Sequence, residues 1–305
     1  MFRIYGLKRA AVFPHKQEYM MFAITGATGQ LGRLVIDTLA KSVPTAHIIA
    51  VVRDPAKASG LASKGIHVRY GDYDRPQTLV KALSGVEKLL LISSSEVGKR
   101  ETQHKAVIDA AKAAGVGLIV YTSLLHADTS PLGLAAEHLA TEAALKASGI
   151  PHVILRNGWY TENYAASIAP ALAHGAFVGA AGEGRIASAA RSDYAQAAAL
   201  VLQLGGQAGK TYELAGDNSY TLAEFTAEVA RQSGKPVQYV NLSQAEFANA
   251  LKGAGLPGGL ADMLADSDAG AEKGGLFDDK NALSALLGHP TTPYADVISS
   301  TLASL

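Results

Sequence analysis

The stretch AITGATGQLG, Ala23 to Gly32, runs from a short apolar segment straight into three glycines spaced three apart, Gly26, Gly29 and Gly32. Each spacing has a physical use. Gly26 permits a tight turn off a strand, Gly29 leaves main chain bare so that a pyrophosphate can approach, and Gly32 lets the following helix lie close to that strand. A helix opening near Gln30 aims its free amides and the positive end of its dipole at the same place. The loop Gly26, Ala27, Thr28, Gly29, Gln30, Leu31 and Gly32 is therefore expected to hold the diphosphate of a dinucleotide. Glycines mark many turns; the reading rests on the strand before the loop, the amphipathic helix after it and a second strand beyond.

Outward from this loop, short β-branched runs recur at 21–25, 47–52, 67–70, 88–93, 118–123 and 152–156. Helical periodicity fills the gaps between them: LGRLVIDTLAK, AKASGLAS, PQTLVKAL, ETQHKAVIDAAKAAG and LAAEHLATEAALKASG. Apolar strands alternating with helices predict an α/β fold, a doubly wound parallel sheet of the NAD(P)-binding Rossmann type. After Arg156 the rhythm loosens into Gly- and Ala-rich sequence. A helix is expected at 193–204, then a strand in KTYELAG, helices near 221–233 and 243–252 with a strand PVQYV between them, and short broken helices from 257 to the end. The expected division is an N-terminal extension over 1–19, poorly ordered, an NADP-binding domain over 20–156, and a smaller α/β substrate-binding cap over 157–305. Chain near 190–215 is expected to return to the Rossmann sheet.

Composition excludes several classes of function. Lys plus Arg and Asp plus Glu are each 27, so the formal charge is zero and nothing favours nucleic acid or an anionic membrane as partner. There is no cysteine, which removes disulfides, thiolate metal sites and thiol nucleophiles. The chain fits a reducing compartment, the cytoplasm, with no membrane insertion. No cluster has metal-ligand spacing. A homodimer is left open.

The second strand ends in VVRDPAK. An NAD site usually carries an acid there for the ribose 2′-hydroxyl; Arg53 suits a 2′-phosphate, which a guanidinium grips with two hydrogen bonds, and Lys57 adds charge. Asp54 could serve an NAD ribose, but Asp54-Pro55 also reads as a helix cap followed by proline at the first helical position. The expected cofactor is NADP(H). Asp72 and Tyr73, past the third strand, are placed at the adenine, with a turn cap as the other reading of Asp72. Ser93 and Ser94, past the fourth, are placed at the nicotinamide ribose.

AITGATGQLG together with VEKLLLISSSEVG (86–98), YTSLLHADTSPLGLA (121–135), LRNGWYTENY (155–164), KGGLFDD (273–279) and LLGHPTT (286–292) resembles the NmrA-like atypical short-chain dehydrogenases, from Met21 onward, and within them the bacterial NADPH:quinone oxidoreductases of this fold. The resemblance implies hydride transfer from NADPH to a quinone without a flavin. It also implies that Asn157, Gly158, Trp159, Tyr160, Thr161 and Glu162 reach over the nicotinamide half of the cofactor. The chain departs from ordinary members in lacking Tyr-x-x-x-Lys: Lys146 has no tyrosine four residues earlier. An NADP(H)-binding redox sensor that regulates a partner protein is the alternative, since such relatives lack the motif too.

Trp159 and Tyr160 are expected to face the cleft and stack on a flat ring, or to pack between sheet and cap; Tyr160 and Asn163 are candidates to bond a quinone oxygen. Ser123 holds the place of the dehydrogenase serine, without partners. His126, at the cleft mouth, is a candidate proton donor. His138 and Glu142 read as an exposed helix pair, and Asp266 to Glu272 as a solvated loop.

Overall fold

The computed structural model describes residues 20–305; the expectation for 1–19 falls outside them. The chain runs β1 (Phe22–Ile24), α1 (Gln30–Leu39), β2 (Ile48–Val52), α2 (Ser59–Ala62), β3 (His67–Tyr70), α3 (Pro76–Ala82), β4 (Lys88–Leu91), α4 (Arg100–Ala114), β5 (Leu118–Leu124), α5 (Ala135–Ser148) and β6 (His152–Asn157). There follow α6 (Thr161–Ala165), α7 (Ile168–His174), β7 (Ala176–Gly179), α8 (Arg191–Gln203), β8 (Thr211–Leu214), α9 (Leu222–Ser233), β9 (Gln238–Asn241), α10 (Gln244–Gly253), α11 (Gly258–Glu272), α12 (Ala282–Leu287) and α13 (Tyr294–Ala303).

Seven strands form one parallel sheet in the order β3-β2-β1-β4-β5-β6-β8. Helices cover both faces, so β1, β2 and β5 are buried along their whole length; β1 and β2 are apolar throughout, and β5 is apolar up to Tyr121, Thr122 and Ser123. The edge strands β3 and β8 are mostly exposed or half-buried instead, with only Leu214 at the end of β8 buried. Leu39, Ile36 and Val35 of α1 and Val201 and Leu202 of α8 fill one face; Leu79, Leu83, Val107, Ile108 and Leu145 fill the other. Gly115 and Gly149 close α4 and α5 with φ of 76° each, the left-handed cap that a side chain resists. Strand β8 pairs in parallel with β6 at the edge of the sheet, and α8 packs against α1.

The remaining elements form a second core of Trp159, Tyr164, Phe177, Tyr220 and Phe225 under the two-stranded parallel sheet β7-β9. Two expectations fail here. The segment after 257 is not uniformly short helices: α11 has 15 residues. And Asp266 to Glu272 is not a solvated loop but the second half of that helix. Asp268, 2% exposed, accepts from the Tyr164 hydroxyl and the Ala180 amide, both at 2.9 Å, while Asp266 accepts from the Gly133 amide at 2.7 Å. The glycines that suggested breaks serve close approach: a Cβ on Gly270 would stand 2.7 Å from Leu132 Cδ1. Among the described residues no helix is long and apolar enough to cross a membrane.

Candidate functional site

The sheet order turns back between β1 and β4, and at such a switch point the loops leaving the carboxyl ends part to form a crevice. A cleft of about 480 Å³ lies there, lined by the loops after β1, β2, β3 and β4 and, from the far side of the sheet's carboxyl edge, by Tyr160 and Arg191. Gly26 takes φ of +59°, and the Gly29 amide bonds back to its carbonyl at 2.9 Å. A Cβ on Gly32 would come to 2.4 Å from Gly26 O and 2.8 Å from Ala27 Cα, backbone that cannot give way. Helix α1 starts at Gln30 with no side chain capping it and no acid in its first turn. Its amide end therefore faces the cleft uncompensated, which is the chemistry of an anion site. Of the seven predicted loop residues, Gly26, Thr28, Gly29, Gln30, Leu31 and Gly32 line the cleft; Ala27 is wholly buried beneath it.

Arg53 lines the cleft with its side chain 67% exposed and donates to Glu96 Oε1 at 2.6 Å. That bond is the first cause of a pKa raised above the ordinary arginine value. Asp54 takes the bland role: its side chain accepts from the Ala56 amide at 3.1 Å and Pro55 opens a short 3₁₀ turn. Lys57 is not on the lining; its carbonyl accepts from Arg33, whose Nε also holds Thr28 O. Asp72 and Tyr73 both line the cleft. One Asp72 oxygen closes its own turn by accepting from the Asp74 amide, and the Tyr73 hydroxyl donates to Ile92 O.

Ser93 and Ser94 form the floor and stand on a buried polar stack. The Ser94 amide donates to His104 Nε2 at 2.9 Å, His104 Nδ1 lies 2.9 Å from Thr141 Oγ1, and that hydroxyl donates to Glu137 O. This order of donors requires a neutral imidazole with its proton on Nδ1. Burial pushes the His104 pKa down to about 4, which keeps it neutral. Arg100, paired with Glu137, donates from Nε to Ser94 O at 2.6 Å. Sequence reasoning missed Ser95, Glu96, Arg100 and Gln103 on this wall, although the first two lie within the ISSSEVG segment and the others just after it.

The segment after β6 divides. Tyr160 bridges to Ala189 and faces the cleft; Trp159, its neighbour in extended backbone, points the other way and is 7% exposed against Tyr164. The expected aromatic pair over the cleft is therefore one tyrosine and one core tryptophan. Burial raises the Tyr160 pKa, so its hydroxyl remains a donor at neutral pH. Asn157 and Gly158 lie behind the lining, and Thr161 is wholly buried against Ser188. Glu162 accepts from the Arg191 amide at 2.9 and 3.0 Å, capping α8. Asn163 also falls off the lining: its Oδ1 accepts from Arg191 Nη2 at 3.2 Å. Arg191, which the sequence reading passed over, lies 12% exposed with its guanidinium carbon 4.7 Å from the Tyr160 ring centre.

The remaining candidates lie elsewhere. Ser123 is not without partners: its hydroxyl donates to Glu142 Oε1 at 2.6 Å, turned toward α5 with Tyr121. Glu142, four residues before Lys146, also receives Arg156 at 3.0 and 2.8 Å, and Arg156 reaches Glu213 and Asp128. The His138–Glu142 pair is thus not an exposed one. His138 is 5% exposed with Nδ1 2.8 Å from the Tyr121 hydroxyl, and burial lowers its pKa to about 3. His126, at a left-handed φ of 50°, is clamped between Asp278 at 3.0 Å and Glu213 at 3.6 Å, off the lining. A donor held by two carboxylates is ill placed to serve a ligand in the cleft.

Bare main chain, an uncapped helix start, a guanidinium after β2 and a serine floor fit an NADP-type dinucleotide. A family model described as NAD(P)H-binding matches residues 26–203. Quinone oxidoreductase 2 of Escherichia coli (strain K12) is 64% identical over 279 residues, 92% of this chain and 98% of that protein. Its crystal structure, described as an NADPH-dependent quinone oxidoreductase complexed with NADPH, superposes with a TM-score of 0.90 over 92% of this chain and all of the other, at 63% identity. The NADP(H) complex of triphenylmethane reductase from Citrobacter sp. gives a TM-score of 0.88 at 39% identity, over 92% and 99% of the two chains.

Proposed function

The chain belongs to the NAD(P)H-binding family, in its NmrA-like branch, and from that premise we propose that it passes a hydride from NADPH to a quinone, as a cytoplasmic oxidoreductase with no flavin in between. The carrying observation is one continuous cleft that joins the glycine loop and Arg53 to Ser93–Ser94 and ends at Tyr160. Bound NADPH supplies the hydride. The residues Gly26 to Gly32 hold the diphosphate, Arg53 the 2′-phosphate, Asp72 and Tyr73 the adenine end, and Ser93 and Ser94 the ribose. The part over 20–156 with α8 and β8 serves the cofactor, and the rest of 157–305 forms the cap over the acceptor.

The missing Tyr-x-x-x-Lys supports this acceptor class. Alcohol oxidation needs a tuned tyrosine to take a proton; a quinone is a strong hydride acceptor whose oxygens take protons from water. Proximity and orientation can then supply most of the acceleration. Tyr160 keeps its proton and so presents a hydroxyl donor to an acceptor oxygen.

The test mixes purified protein, NADPH and a small benzoquinone and follows the nicotinamide absorbance. The expected result is turnover well above the uncatalysed rate, one NADPH consumed per quinone. Turnover no faster than the blank, with NADPH still bound, leaves the NADP(H)-binding sensor as the reading.

A further inference from the structure

A helix normally avoids a cation in its first turn, where the dipole is positive. Helix α8 opens on Arg191, and its side chain is neither solvated nor in a close carboxylate pair: Glu162 Oε2 stands 4.0 Å from Nη1. The backbone amide of Arg191 takes both Glu162 oxygens, so that carboxylate is spent on the helix end. The guanidinium carbon stands over the Tyr160 ring, 4.7 Å from its centre, and Nη2 donates to Asn163 Oδ1 at 3.2 Å. Nε and Nη1 make no hydrogen bond to another described side chain or carbonyl, and the residue lines the same end of the cleft as Tyr160. A pinned guanidinium with free donors, beside Tyr160 on the lining of a hydride-transfer cleft, has the chemistry of an oxyanion site.

We propose that Arg191 receives the acceptor oxygen that gains negative charge as a quinone is reduced, which makes the acceptor subsite specific for carbonyl acceptors that become phenolate-like anions. This rests on the quinone reading above. The nicotinamide C4–H bond breaks, its electron pair travels with the hydride to the quinone, and the resulting hydroquinone monoanion takes one proton from water. The sum is NADPH, quinone and one proton giving NADP⁺ and hydroquinone. Arg191 holds the anion through that interval; Tyr160 and Asn163 hold Arg191.

The experiment uses a phenol probe in the absence of NADPH, so that nothing present reduces it. The full chain, saturated with NADP⁺, is titrated with 4-nitrophenol, and the ionisation of the bound probe is read from its phenolate absorbance as pH is varied, in the wild type, Arg191→Lys and Arg191→Gln. The expected result is a bound probe that ionises at lower pH than the free phenol in the wild type, partly so in Arg191→Lys, and not at all in Arg191→Gln. Benzoquinone kcat should fall on the order of a hundredfold in Arg191→Gln, with the NADPH Kd changed by less than about threefold. A wild-type complex in which the probe ionises like free phenol overturns the proposal. So does an Arg191→Gln protein that keeps the wild-type ionisation, or one that loses NADPH affinity in step with kcat, which would assign Arg191 to a cofactor phosphate. If Arg191→Gln fails to fold, Arg191→Lys decides: a phenolate preference equal to free probe in that folded variant also overturns it. Absent benzoquinone turnover with a normal phenolate shift would sink the quinone reading and leave the anion site standing.

Discussion

Replacing Arg53 by alanine should weaken NADPH far more than NADH. In the structure the guanidinium is 67% exposed and already bonded to Glu96 at 2.6 Å, so a 2′-phosphate must win it from a carboxylate. A lost charge-assisted hydrogen bond costs about 1.5–3 kcal/mol. Surrendering an exposed ion pair returns roughly 0–1 kcal/mol of that. The net is about 0.5–3 kcal/mol, or roughly twofold to 150-fold in NADPH Kd, with NADH unchanged because it has no 2′-phosphate. The converse variant carries the opposite sign. Glu96→Gln frees Arg53 and removes a carboxylate from beside the phosphate, so NADPH should bind up to about fivefold more tightly. The assay is nicotinamide fluorescence titration of both nucleotides at one fixed ionic strength, since screening scales every exposed charge. Equal loss of NADPH and NADH in Arg53→Ala would refute the assignment of Arg53 to the 2′-phosphate.

Two other outcomes follow from the geometry. Gly32→Ala puts a Cβ 2.4 Å from Gly26 O; the overpacking should cost about 1–3 kcal/mol of stability, and NADPH affinity should fall at least tenfold as the loop shifts. Thermal melts and the same titration check both, and a variant with wild-type affinity contradicts the role given to the loop. Acidification should lower the melting temperature. Between pH 6.5 and about 4 the unfolded chain takes up a proton at His104 that the folded chain refuses, a loss on the order of 3 kcal/mol, and His138 acts in the same direction down to about 3. Asp268 works the other way, because burial raises its pKa to about 6 and the folded state gains on protonating it between 6 and 3.8. Two histidines outweigh one carboxyl, so a melting temperature that rises from pH 7 to pH 4.5 would contradict the buried, neutral placement of His104 and His138.

Much of the cofactor half was legible because local rules and tertiary demands agree there. The apolar strands, the AAG and ASG helix ends, the glycine loop and the Asp54-Pro55 cap all sit where their chemistry alone would put them. The acceptor end was not legible in the same way. Trp159 and Tyr160 are adjacent aromatics, and only the extended backbone beside Ala189 decides which faces the cleft. His126, His138 and Ser123 looked free because their partners, Asp278, Tyr121 and Glu142, are distant in sequence or on another element. Asp266 and Asp268 looked solvated because a glycine-rich helix hides its reason, the close approach of Leu132. Arg191 was passed over because the helix was expected to open at 193; its actual start places this arginine in the first turn, against the dipole rule, and such local violations gather at functional sites.

The most direct test is calorimetric titration of NADPH into the purified chain. One binding event per chain is expected, weakened by Gly32→Ala and by Arg53→Ala. An absence of binding heat across conditions of temperature and buffer, with the protein folded, would contradict the cleft at the β1–β4 switch point as a dinucleotide site, and every role assigned within it.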